Sequence, residues 1–144
     1  MDISDFVTAE NVREACRVLG IGDWTERTDT HVRPEEAEAI RQAVGAEALA
    51  VTREAFQQGL EVELEHGTRY PDANVTNNHP ILTGRVVLAH LKEMLDYYVR
   101  LEVAELEGDL LKASRAGDAS KLARTYARWL RARAKLGAME TAGS

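Results

Sequence analysis

The 144-residue chain is 44% hydrophobic and 29% charged, with a formal net charge of −6. That composition suits one soluble domain with a sizeable core, excludes disorder, and argues against nonspecific nucleic-acid binding, which needs a basic surface. No apolar run approaches the roughly 20 residues of a spanning helix, and Met1 to Asp5 lack the basic and apolar regions of a signal peptide, so a cytoplasmic chain without a membrane partner is expected.

The first helical pattern runs from Thr8, a capping residue, to Gly20, a terminator, with Val12, Ala15, Cys16 and Leu19 on its apolar side. Cys16 is the single cysteine, so no intrachain disulfide forms. Trp24 follows in a turn and is expected to fold back on the core, and Thr25 to Arg33 read as a loop. Pro34 opens the next helix with Glu35, Glu36 and Glu38 crowding its first turns, where the helix dipole favours negative charge. Its periodicity runs on to His66 with a break or bend expected near Gly45.

Residues 67–80 hold Pro71, Asp72, Asn74, Asn77, Asn78 and Pro80 without helical spacing and read as a loop. From Leu82 to Ser114 apolar residues recur at helical spacing with no proline, predicting one long helix. Gly117 and Asp118 interrupt, and a last helix is expected over 119–136 with Leu122, Tyr126, Trp129, Leu130 and Ala134 as its core stripe. Lys121 to Lys135 form a basic island whose residues fall on several sides of a helix, read as a solvated helix in preference to a nucleic-acid or phosphate patch. No strand pattern appears. The expected fold is all-α, a single-domain bundle of four to five helices with long central helices.

Two Glu/His pairs carry the functional reading. Glu63 and His66, and His90 and Glu93, each lie three residues apart, close to one helical turn, so each pair shares a helix face. Glu63 and His66 fall on the apolar arc of their helix, and His90 falls on that of the next. A carboxylate on a buried face costs several kcal/mol unless it is paired or bound to a metal. Glu63, His66, His90 and Glu93 are therefore the expected metal ligands, with Glu93 also a candidate base. Two imidazoles with carboxylate suit iron(II) first, and manganese or zinc as alternatives. The competing reading makes these residues hydrogen-bonded pairs between helices. Tyr97 is a candidate catalytic residue through its hydroxyl. His79, Tyr70 and Gly59 are candidate substrate contacts, Gly59 because it leaves room for a ligand. His31 reads as a solvated loop histidine.

The stretches Phe56 to Gly67, Asn74 to Asn77, Thr83 to Glu93 and Asp96 to Tyr98 resemble a family of small bacterial and phage helical domains of unknown function, over about residues 8–107. The resemblance implies that the Glu, His, His and Glu belong to the family pattern, and it names no reaction. Asn78-His79-Pro80 departs from relatives that carry acidic residues before the proline, and the region from Asp29 to Leu49 and the last helix are additions.

The expected activity is that of a mononuclear non-haem iron oxygenase acting with O₂ on a small organic substrate. A non-catalytic metal-binding or interaction module is the alternative. A homodimer is the expected assembly if a helix stripe stays uncovered.

Overall fold

Seven α-helices and two short 3-10 turns make up the regular structure of residues 5–142, which this computed structural model describes. No strand occurs among the described residues, and no helix there is long and apolar enough to cross a membrane. The chain divides into two compact units, Met1–Leu95 and Asp96–Ser144.

In the first unit, α1 (Ala9–Leu19) starts and stops by local chemistry. The Thr8 side chain accepts the Asn11 N–H at its start, and Gly20 closes it in the left-handed conformation at φ +66°. Val12 and Cys16 are buried, while Ala15 and Leu19 are only half-buried. Trp24 does fold back, ending 1% exposed.

α2 (Pro34–Val44) begins at its proline, and Gly45 ends it at φ +117°, a backbone state that side-chain-bearing residues rarely adopt. A single turn, α3 (Ala46–Leu49), follows. The chain then breaks a second time before α4 (Arg53–Arg69), which Thr52 caps by accepting the Ala55 N–H at 3.2 Å. The break near Gly45 matches expectation. The second one was readable in principle, because Thr52 is a favoured capping residue.

α5 (Pro80–Glu93) packs against both α2 and α4. Its Gly84 permits the approach. A Cβ there would lie 2.9 Å from Ile40 Cγ2 and from Val44 Cγ2, closer than packed carbons sit. Ile40, Phe56, Leu60, Leu64, Val87 and Leu91 fill the space between these helices.

The expected long helix over 82–114 is in fact two, which with the second break raises the helix count to seven. The chain leaves α5 at Met94, where the backbone is extended, and resumes as α6 (Tyr97–Arg115) after Asp96. No proline or glycine marks this break.

The second unit is a helical hairpin. α6 and α7 (Ala119–Ala142) are joined by a turn around Gly117 at φ +66°. Val99, Val103, Leu106, Ala132 and Leu136 form its core, with Trp129 packed at the margin. The expected stripe of α7 is therefore displaced. Tyr126 and Leu130 are 51% and 47% exposed, while Thr125, Ala132 and Leu136 are buried. α7 carries two apolar arcs, and the one with small Ala132 at its centre lets α6 come close.

Candidate functional site

α4 and α5 supply the residues singled out by spacing. Glu63 lies in the middle of α4 and His66 one turn later, while His90 comes from the last turn of α5. Packing of the two helices brings Glu63 Oε1 to 3.6 Å from His90 Nε2, across 27 positions of sequence, and leaves Glu63 Oε2 3.8 Å from His66 Nδ1. Glu63 is the most enclosed of the three, with 17% of its side chain exposed against 31% for His90 and 45% for His66. The inward prediction thus holds best for Glu63, whereas His66 sits at the rim.

Glu93 is exposed on the final residue of α5. Gly59 is buried in α4. Tyr70, 49% exposed, closes α4, and the Arg69 guanidinium lies 5.5 Å from its ring centroid. Tyr97 belongs to the second unit, where its ring meets Tyr98 edge-on at 5.2 Å.

The donor set fits a divalent transition metal in kind, being two imidazole nitrogens and a carboxylate. Separations of 3.6 and 3.8 Å exceed a hydrogen bond, and they approach the edge of about 3.4 Å between ligands that each sit about 2.1 Å from a tetrahedral ion. In full geometry the fit is incomplete. Among the described residues no three His, Cys, Asp or Glu side chains are grouped so as to hold a metal. Glu63 presents a different oxygen to each ring, so the pairs approach separately.

The loop between α4 and α5 is more ordered than its composition suggested. Asn74 Nδ2 donates to Gly67 O and to Asn78 Oδ1, and the Thr76 N–H donates back to Asn74 Oδ1. Asn77 and Asn78 take φ +48° and +58°, which asparagine tolerates better than most residues. Asn77 Nδ2 reaches the Val7 carbonyl at 2.7 Å, tying the loop to the start of the chain. His79 ends the loop as the cap of α5, its Nδ1 accepting the Ile81 N–H at 3.2 Å. Burial pushes the His79 imidazole below its ordinary pKa. A capping role therefore accounts for His79 as it stands.

Two further polar centres escaped the sequence reading. Glu36, read there only as one of three acids at a helix start, is 2% exposed and accepts from Arg27 at 2.6 Å, from the Arg33 N–H at 3.1 Å and from the Gly22 N–H at 3.2 Å. Arg27 also stacks 5.1 Å from the Trp24 ring centroid. His31 is not simply solvated, because its Nδ1 lies 3.0 Å from Glu61 Oε1, which also accepts the Val32 N–H. These bonds fasten residues 22–33 onto α2 and α4. Their only sequence signal was a loop dense in charge beside an acidic helix start.

A family model described as "Protein of unknown function (DUF5661)" matches residues 12–107. No curated protein and no solved structure matches the chain.

Proposed function

Because the chain belongs to the DUF5661 family, whose description assigns no activity, we propose from its own residues that it is a metal-dependent enzyme in which Glu63, His66 and His90 take up one divalent transition ion. Iron(II) is the first candidate, with manganese and zinc behind it, and the reaction class is oxygenation of a small organic substrate. The observation that carries this reading is the Glu63 carboxylate standing between two imidazoles, 3.6 and 3.8 Å away. Rotation of the half-exposed imidazoles about their side-chain bonds would be needed to turn those two pairs into one ligand set.

Two histidines and one carboxylate leave coordination positions open, the arrangement that suits dioxygen and substrate together. Bound iron(II) would supply electrons and Lewis acidity. Glu63 would fix the imidazole orientations and offset the positive charge. Exposed Glu93, one turn beyond His90, is the carboxylate left to act as base.

A second reading has its own support. The absence of a metal-holding group among the described residues favours a non-catalytic module in which Glu63 and the two histidines form a polar network between α4 and α5. Metal analysis after anaerobic loading with iron(II) separates the two. About one iron per chain, lost in His66→Ala and His90→Ala, supports the metal reading. No uptake of iron, manganese or zinc by the folded protein would overturn it and leave the polar network.

A further inference from the structure

The overall charge of −6 conceals a segregation. Residues 1–95 carry nine Lys and Arg against seventeen Asp and Glu, net −8, whereas residues 96–144 carry nine against seven, net +2. Six of those nine cations lie on α7, with Glu140 its only acid.

With Thr125, Ala132 and Leu136 turned inward, the α7 cations are not spread around the helix. Lys121, Arg124, Arg128, Arg131 and Lys135 follow one another at steps of three, four, three and four residues, which at 100° per residue keeps them within an arc of about 80°. All five are exposed. At about 1.5 Å per residue the row is about 21 Å long. Arg133, the sixth, lies off the row and pairs with Glu140 at 3.3 Å.

The C-terminal half of the row borders a cleft. Arg128, Arg131 and Lys135 line a cavity of about 310 Å³ with Ala132 and with Glu102 of α6. Neither Arg128 nor Arg131 has a hydrogen bond or ion pair among the described residues, although carboxylates abound in this chain. Two guanidiniums held without partners at the mouth of a cleft are donors prepared for an anion.

The form of the row says which anion. It is longer than one phosphate can engage, and it matches about six phosphates of a strand rising about 3.4 Å per nucleotide. An acidic protein partner would be expected to use apolar anchors beside the charges, since such anchors dominate protein interfaces. Of the exposed large apolar residues of α7, Tyr126 and Leu130 lie on the opposite side of the helix, and Met139 alone, 37% exposed and one turn beyond Lys135, borders the row at its end. We infer that this flank of α7 binds the phosphodiester backbone of a nucleic-acid strand without reading its sequence.

The test is fluorescence anisotropy of a labelled oligothymidylate about twenty nucleotides long, titrated with the intact chain at about 50 mM salt, where nonspecific binding is strongest. Micromolar binding is expected. With five cations engaged on a single strand, affinity should fall about a hundredfold between 50 and 200 mM salt. The triple variant R128Q/R131Q/K135Q should bind at least tenfold more weakly while keeping its helical circular dichroism, whereas R13Q/R17Q, on exposed α1, should bind as the parent does. No binding at about 100 µM protein would overturn the proposal. Equal loss in both variants would do the same, as would equally tight binding of poly-glutamate, which would reassign the row to an acidic protein.

Discussion

Arg27 donates to the Glu36 carboxylate at 2.6 Å with only 15% and 2% of the two side chains exposed, so an ion pair lies inside the first unit where the sequence suggested only acidic residues favoured by the helix dipole. Burial alone would raise the Glu36 pKa, but the bonds from Arg27 and from the Arg33 N–H outweigh it and hold the carboxyl below its ordinary range. Removing one member of such a pair strands the other. Arg27→Met is expected to cost about 3 kcal/mol or more, read as a lowered midpoint in chemical denaturation.

The same carboxylate sets an acid limit. Its pKa is lower in the folded than in the unfolded chain, so its stabilising contribution is complete above about pH 4.3 and disappears as pH falls through the folded value. Thermal unfolding followed from pH 7 to pH 3 should therefore show a steeper acid loss in the parent than in Glu36→Gln. Parallel curves would show that Glu36 is not ionised in the fold.

His79 titrates in a higher window. Its folded pKa is depressed by burial, and the neutral ring accepts the Ile81 N–H at the start of α5. The unfolded chain thus binds the proton more readily. Stability from neutral His79 is full above about pH 6.5 and is lost as pH drops through the folded value. His79→Asn retains a capping acceptor without titrating there. Its melting temperature should change less between pH 7 and pH 5 than that of the parent.

Gly84 is the contact point of α5 with α2 and α4. Gly84→Ala would place a methyl 2.9 Å from Ile40 Cγ2 and 3.2 Å from Phe56 Cζ, so the helices must part or the side chains leave their rotamers. A loss of about 1–3 kcal/mol is expected despite the better helix propensity of alanine. Alanine as stable as glycine in urea unfolding would mean that α5 sits farther out.

Glu63→Gln preserves the shape of the side chain while removing the charge between the imidazoles. On the metal reading, zinc affinity by calorimetry should fall at least tenfold with the fold intact, because a neutral amide is a poor substitute for a carboxylate ligand. On the polar-network reading, there is no zinc binding to lose, and the change should appear only in stability.

Local chemistry by itself determined the helical class and most helix ends. Thr8, Gly20, Pro34 and Gly45 act through capping, ring constraint or positive φ, all of which reach only a few residues along the chain. The three-residue spacing likewise placed Glu63 beside His66, because a helix turn fixes that relation. Tertiary packing decided the rest. His90 meets Glu63 because Gly84 and the side chains around it set how α5 lies on α4, and no property of either segment alone states that distance. Glu36 is buried because residues 22–33 fold over it and bring Arg27. The α7 cations share an open flank because Ala132 and Leu136, rather than Tyr126 and Leu130, fit against α6. A helix with two apolar arcs has no preferred inward face until a partner of particular shape selects one.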